Sequence, residues 1–128
     1  MNTPHIASAE AYYKAFGNKD LAGMEKYLHP GVHFMGPLAE LSGKDVVLEA
    51  ARRLFGGFNA LTIRAKVGAG NQVMVAYDLD CPQPIGIFRV AVLMTFTEDL
   101  ISDIELFYDA RPFEKRKEDI FAEASQGR

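Results

Sequence analysis

His33 has the side chain best suited to proton transfer, because the ordinary pKa of an imidazole lies close to neutral pH. It falls in a short predicted strand, 32–35, in which successive side chains point to opposite faces. Val32 and Phe34 share one face, so the alternation places His33 and Met35 on the other. A structural or solvated histidine is therefore the favoured interpretation, and a general base at a cavity is the alternative.

Four carboxylates on predicted strands could share a proton or hold a cation if two of them met. They are Asp78, Asp80, Asp103 and Glu105. The strands that carry them are apolar on the opposite face, so these side chains are more typical of a polar sheet face than of a buried site. No histidine accompanies them at the spacing of metal ligands. We therefore expect no metal site and no cofactor.

Cys81 and Arg89 are the remaining candidates for chemistry. Cys81 stands beside Pro82, with no histidine or second cysteine placed in the sequence to activate its thiol, so we expect it to be inert. Arg89 lies among apolar residues, and a buried arginine needs a carboxylate partner. Asp103 or Glu105 on the neighbouring predicted strand is the expected partner, and a structural pair is favoured over an anchor for an acidic ligand.

The composition fits a single globular domain over residues 1–128. The net charge is −3, with both signs interspersed, which argues against a nucleic-acid-binding face. No apolar run reaches the roughly 20 residues of a membrane span, and the first residues lack the pattern of a secretory signal. A single cysteine excludes an internal disulfide, so the expected location is the cytoplasm.

Apolar spacing predicts three helices in the first half of the chain. The first spans about 4–17, and Asn18 can cap a short second helix that the segment 29–31 would end. Ser42 with Asp45 resembles the capping arrangement of a third helix. The apolar positions of the three helices are, in order, Ile6, Ala9, Tyr13 and Phe16; Leu21, Met24 and Leu28; and Val47, Ala51, Leu54, Phe55 and Phe58.

The strongest strand signal is a pair of long segments, about 86–97 and 100–108, joined at Glu98 and Asp99. Apolar residues occupy both faces of the first segment, which is typical of a strand that is covered on both sides. The second segment alternates between apolar and polar residues. One face of the resulting sheet is expected to carry the helices, and the other to be at least partly covered by something else.

Alternation predicts two further strands, at 61–67 and 73–79. After the long pair of strands, Pro112 can open a last helix, about 112–125. The order of elements predicts an α+β fold, with one layer of helices on a mostly antiparallel sheet.

A tyrosine-bearing helix, a polar turn with an Asp-Leu pair and a short second helix follow one another in residues 11–24. The same family layout is seen in three later segments, 27–32, 36–37 and 42–44. The chain resembles the nuclear transport factor 2-like superfamily, which includes SnoaL-like polyketide cyclases and ketosteroid isomerase, over about residues 4–110. The resemblance implies a cone: a strongly bent sheet with three N-terminal helices packed on it, and a short C-terminal helix.

The same resemblance implies an apolar pocket in the mouth of the cone and a homodimer through the other face of the sheet. It places the hydrogen-bond-donating tyrosine of ketosteroid isomerase on Tyr12, whereas Gly36 and Met94 occupy the positions of its two acids. Limonene epoxide hydrolase pairs an arginine with an aspartate two residues on, but Arg89 is followed at that spacing by Ala91. Tyr12 is thus either an oxyanion-stabilising donor or a boundary tyrosine beside the core.

We predict a SnoaL-like protein that binds a small apolar molecule and acts as an isomerase, cyclase or dehydratase by proton transfer on a carbonyl compound. The catalytic candidates are Tyr12 and His33. A non-catalytic ligand-binding or dimeric interaction module of the same fold is the alternative. The expected ligand-binding residues are Phe16, Phe34, Phe55, Met94 and Tyr108.

Overall fold

The structure is a computed structural model that describes residues 3–112 of the chain. The predicted tail helix, about 112–125, lies beyond Pro112 outside the described residues. The elements are, in chain order, α1 (Thr3–Gly17), α2 (Leu21–Glu25), β1 (Leu28–Met35), β2 (Glu40–Ser42), α3 (Lys44–Leu54), a 3-10 turn (Phe55–Gly57), β3 (Ala60–Ala69), β4 (Gln72–Asp80), β5 (Ile87–Thr97) and β6 (Leu100–Phe107). None of the helices in this part of the chain is long and apolar enough to cross a bilayer.

Helix α2 is capped by Asp20 and not by Asn18, so that prediction was wrong. The backbone of Asp20 is extended, and its carboxylate accepts a hydrogen bond from the Gly23 N–H at 3.0 Å. This acceptor satisfies one of the N–H groups that the start of a helix leaves unpaired. Asn18 instead donates its backbone N–H to the Lys14 carbonyl and closes the last turn of α1.

Strand β1 begins at Leu28, earlier than predicted, and runs through the segment 29–31 that was expected to separate a helix from a strand. Proline and glycine are tolerated there because the pairing of β1 with β6 shifts register between Leu28 and His33. The predicted Ser42 cap was also wrong. Ser42 lies in β2, and the residue before α3 is Gly43, which makes no side-chain cap.

The strands form one sheet in the order β2-β1-β6-β5-β4-β3. Strands β3 to β6 meander antiparallel, and β1 pairs with β6 in parallel. Glu98 and Asp99, with φ values of 53° and 68°, form the tight turn between β5 and β6. The sheet is curved and does not close, so the predicted α+β fold with helices packed on a mostly antiparallel sheet is confirmed.

The two faces of the sheet differ in burial. The inner face, which packs against α1, carries fully buried side chains from neighbouring strands: Val73, Val75, Val92, Met94 and Ile104. Burying a side chain of this size contributes roughly 1.5–3 kcal/mol. The outer face carries the exposed large apolar side chains Met35, Val67, Met74, Ile87 and Phe107. The sheet therefore has a core face and an outer face on which large apolar side chains are exposed.

Candidate ligand-binding site

A cavity of about 190 Å³ lies between the inner face of the sheet and the end of α3. Helices α1 and α3, the 3-10 turn, several strands and three connecting segments contribute to its wall. The lining is mostly apolar and consists of Phe16, Phe34, Leu38, Arg53, Leu54, Gly56, Gly57, Phe58, Tyr77, Leu79, Cys81, Ile85, Phe88, Val90, Leu106 and Tyr108.

Aromatic rings from distant parts of the chain form much of this wall. Phe16, in the last turn of α1, stands 5.2 Å from Phe58, which follows the 3-10 turn, measured between ring centroids. Phe88 of β5 meets Tyr108 edge to face, with their centroids 5.1 Å apart. Flat, apolar surfaces of this kind suit a ligand with rings of its own.

Tyr77 of β4 lines the cavity and packs against Tyr13 on α1. Their ring centroids are 4.7 Å apart, and both side chains are buried. Burial raises the pKa of both hydroxyls well above the ordinary value, because a phenolate would lose its hydration there. The pair therefore stays protonated and joins α1 to the sheet beside the cavity.

Tyr108, directly after β6, is the second tyrosine of the lining. Burial raises the pKa of Tyr108 to about 12, so the group remains a hydrogen-bond donor at neutral and mildly alkaline pH. Cys81 adds a buried thiol to the same lining. Among the described lining residues there is no carboxylate and no imidazole.

Arg53, in the last turn of α3, is the one charged side chain in the described lining. Its Nε lies 3.3 Å from Glu49 Oε2, one turn earlier on the helix. Arg52 binds the same carboxylate more closely, with its Nη2 2.6 Å from Oε2. Nearby guanidinium groups lower the pKa of Glu49, so this carboxylate is ionised at neutral pH.

Three of the five predicted ligand-binding residues line the cavity: Phe16, Phe34 and Tyr108. Phe55 does not; it packs against Phe16 and Phe58 from behind, with centroids 5.8 and 6.5 Å away. Met94 is 0% exposed and lies in the core of the inner face. The structure therefore brings neither Phe55 nor Met94 to the cavity, and ligand contact by all five remains a prediction.

Tyr12 and His33, the catalytic candidates, lie outside this lining. Tyr12 is buried and packs edge to face on Tyr13, with centroids 5.0 Å apart. His33 lies on the outer face, as the alternation indicated, with Nε2 2.7 Å from Glu40 Oε2 and Nδ1 3.7 Å from Asp103 Oδ1. Their catalytic roles stay predictions.

Gly36, at the position of an acid in ketosteroid isomerase, faces the cavity wall. A Cβ at this residue would lie 3.6 Å from Leu106 Cβ, 3.8 Å from Tyr108 Cε2 and 3.9 Å from Phe34 Cε1. All three neighbours line the cavity. The position therefore points where the resemblance implied, but it carries no acid.

Arg89 pairs with Asp78 and not with Asp103 or Glu105, so the predicted partner was wrong. The two residues stand opposite each other in the β4–β5 register, and Arg89 Nε is 3.6 Å from Asp78 Oδ1. Arg89 is also exposed, because odd-numbered residues of β5 point to the outer face. Between residues 3 and 112, no group of three or more His, Cys, Asp or Glu side chains is arranged to hold a metal ion.

Two lining residues, Tyr77 and Arg53, were not predicted from the sequence. Alternation along 73–79 already placed Tyr77 with Val73, Val75 and Leu79 on one face, so its inward direction could have been found. Arg53 gave no signal, because it looks like one of two basic residues that end a helix.

The chain matches the family model described as a SnoaL-like domain over residues 9–104. No curated protein is significantly similar to it in sequence. The resemblance to SnoaL-like and ketosteroid isomerase-like proteins that the sequence predicted is thus confirmed.

Three solved structures illustrate the likeness. A de novo designed protein with a curved β-sheet has a TM-score of 0.83 at 20% identity, covering 95% of this chain and 98% of its own. A putative ketosteroid isomerase from Kribbella flavida DSM 17836 has a TM-score of 0.75 at 16% identity, covering 83% and 78%. TerC, co-crystallised with polyporic acid, has a TM-score of 0.72 at 18% identity, covering 91% and 99%. At these identities the likeness shows the fold alone.

Proposed function

The chain belongs to the SnoaL-like domain family, and we propose that it binds a small, mostly apolar molecule with a carbonyl group in the cavity between α3 and the sheet. The ligand's rings or alkyl groups lie against Phe16, Phe58 and Phe88. The Tyr108 hydroxyl donates a hydrogen bond to its carbonyl oxygen. The observation that carries this proposal is a preformed, mostly apolar cavity with two tyrosines, Tyr77 and Tyr108, among its lining residues.

The composition of the lining favours a protein that binds its ligand without converting it over an enzyme that transfers a proton. A general base must reach the ligand within hydrogen-bonding distance, and the described lining offers neither carboxylate nor imidazole. Gly36 and Met94 replace the two acids of ketosteroid isomerase. His33 lies on the outer face beside Glu40 and Asp103. The fold accommodates organic ligands elsewhere, since its neighbour TerC was co-crystallised with polyporic acid.

The substitution Tyr108→Phe tests whether the Tyr108 hydroxyl donates a hydrogen bond to the ligand. 2-Acetonaphthone carries a carbonyl, and 2-ethylnaphthalene has nearly the same shape without one. The variant is expected to bind 2-acetonaphthone about fivefold to tenfold more weakly, the cost of roughly one hydrogen bond. Its affinity for 2-ethylnaphthalene should not change. Isothermal titration calorimetry or tyrosine fluorescence at neutral pH measures both affinities.

Tyr27→Phe is the matched control, because Tyr27 is partly buried and does not line the cavity. It should leave both affinities unchanged. Equal losses for the two compounds in Tyr108→Phe would show that the ring, and not the hydroxyl, interacts with the ligand. If neither compound binds the wild-type chain, the proposed ligand class is wrong.

We also propose that the chain forms a homodimer through the outer face of the sheet, where large apolar side chains are exposed. Met74, Ile87 and Phe107 are 38%, 56% and 47% exposed on adjacent strands of this face. Large apolar side chains exposed on one face of a sheet are typical of a surface covered by a partner. A second copy related by a twofold axis would bring the same patch to itself.

Phe107→Glu tests this dimer. It places a charge at an exposed apolar position of this face and is expected to weaken self-association by about tenfold or more, because the carboxylate would be buried without a partner. Sedimentation equilibrium over a range of concentrations measures the change. The control is Asn59→Glu, an equally large change of charge at an exposed residue before β3. A wild-type chain that stays monomeric at all concentrations contradicts the dimer.

A further inference from the structure

Two of the residues that line the cavity, Gly56 and Gly57, are also exposed to solvent. They lie in the 3-10 turn that follows α3. Every other described residue of the lining is buried or partly buried. We propose that the ligand enters and leaves the cavity over Gly56 and Gly57, and that the absence of side chains there keeps this entrance open. This inference rests on the proposed function, because it concerns access to the same cavity.

The ordinary structural reasons for a glycine are missing at both positions. Neither residue has a positive φ, so the backbone there accepts any L side chain. Neither is closely packed, because a Cβ at Gly56 or Gly57 would meet no neighbouring atom within 4 Å. Gly17 shows the contrast, since a Cβ there would lie only 3.0 Å from Leu61 Cβ. Backbone conformation and packing therefore do not explain the two glycines of the turn.

The two glycines also weaken the turn that contains them. Glycine loses more conformational freedom on folding than alanine does, so it destabilises a helical turn. Residues that break a local preference without a gain in backbone fit or packing are expected at functional sites. What Gly56 and Gly57 provide is open space where the cavity meets solvent, and a ligand needs this space in order to pass.

The backbone beside the glycines is held in place. Lys19 Nζ donates a hydrogen bond to the Phe58 carbonyl at 2.8 Å and lies 4.9 Å from the centre of the Phe58 ring. The Asn59 N–H donates to the Asp80 carbonyl at 2.7 Å, which joins the same segment to the end of β4. Because this segment is anchored, the width of the entrance depends on the side chains at positions 56 and 57.

The test places leucine at both positions, as Gly56→Leu together with Gly57→Leu. Side chains at the entrance raise the barrier to entry and to exit alike, without taking the space of the bound ligand. The association and dissociation rate constants of 2-acetonaphthone are each expected to fall about tenfold, while the affinity stays within about twofold of the wild-type value. Stopped-flow tyrosine fluorescence measures the rate constants, and calorimetry measures the affinity.

Asn59→Leu is the matched control, because Asn59 is exposed directly after Phe58 and does not line the cavity. It should leave both rate constants unchanged. Alanine at positions 56 and 57 is a second variant with smaller side chains. Alanine favours a helical turn over glycine, so this variant should keep or raise the midpoint of urea denaturation and slow both steps by a smaller factor.

A second measurement needs no ligand. Cys81 is the single cysteine of the chain, and this buried residue lines the cavity. Methyl methanethiosulfonate is a small thiol reagent that has to pass the entrance to reach it. The leucine variant is therefore expected to be labelled several times more slowly than the wild-type chain, and Asn59→Leu at the wild-type rate. Mass spectrometry of samples quenched at successive times measures the labelling.

The outcomes separate the entrance from the proposed function. Wild-type rate constants and wild-type labelling in the folded leucine variant overturn the entrance and leave the proposed function standing. A loss of affinity through faster dissociation also overturns it, because the glycines then belong to the surface that holds the ligand. If the wild-type chain does not bind 2-acetonaphthone, the proposed function is wrong and Cys81 labelling decides the entrance: slower labelling of the leucine variant supports it, and equal labelling overturns it.

Discussion

Gly36→Trp is expected to reduce the affinity for 2-acetonaphthone by roughly a hundredfold or more while the protein stays folded. The Cβ of the new residue would meet Leu106, Tyr108 and Phe34 at ordinary contact distances of 3.6 to 3.9 Å, and Gly36 does not have a positive φ. The indole then extends among residues that line the cavity and takes the space of the ligand's rings. Calorimetric titration with 2-acetonaphthone measures the loss, and circular dichroism checks the fold.

Gly31→Trp is the control for this substitution. Gly31 is also in β1, but it is exposed, and a Cβ there would meet the ring of His29. It should therefore leave the affinity unchanged. Wild-type affinity in a folded Gly36→Trp protein would contradict the account, because ligand and indole cannot occupy the same cavity.

Met94→Ala is expected to lower the free energy of unfolding by about 2–5 kcal/mol. Met94 is 0% exposed between Val73 and Ile104 on the neighbouring strands, so truncation leaves a hole in the core of the inner face. Met94→Leu keeps most of the volume and should cost less than about 1.5 kcal/mol. Urea denaturation followed by circular dichroism measures both values.

The same pair of variants decides what Met94 does. If it belongs to the core alone, Met94→Leu binds 2-acetonaphthone with wild-type affinity. A large loss of affinity in the stable Met94→Leu protein would show instead that the residue contacts the ligand, as the sequence predicted.

The long elements could be predicted because their signals are local. Strands β5 and β6 and their turn at Glu98 and Asp99 follow from apolar alternation and two residues that accept a positive φ. The start of β1 could not be predicted in this way. Pro30 and Gly31 are tolerated there because β1 shifts register against β6, a strand that is distant in sequence. Strand β2 has three residues, which is too short for alternation to reveal.

The cavity was predictable as a class of site, but its polar residues were not. The aromatic wall follows from the resemblance together with helical spacing for Phe16 and strand alternation for Phe34 and Tyr108. The contact between Tyr13 and Tyr77 joins a helix to a strand that is distant in sequence, so it depends on tertiary packing. Arg53 differs from Arg52 in the direction and the burial of its side chain, and the local sequence pattern predicts neither property.

A crystal structure of the protein with 2-acetonaphthone tests the central proposal most directly. The naphthalene rings are expected against Phe16, Phe58 and Phe88, with the carbonyl oxygen about 2.7–2.8 Å from the Tyr108 hydroxyl. A ligand bound on the outer face of the sheet, or a cavity closed by its own side chains in the presence of saturating ligand, would contradict it.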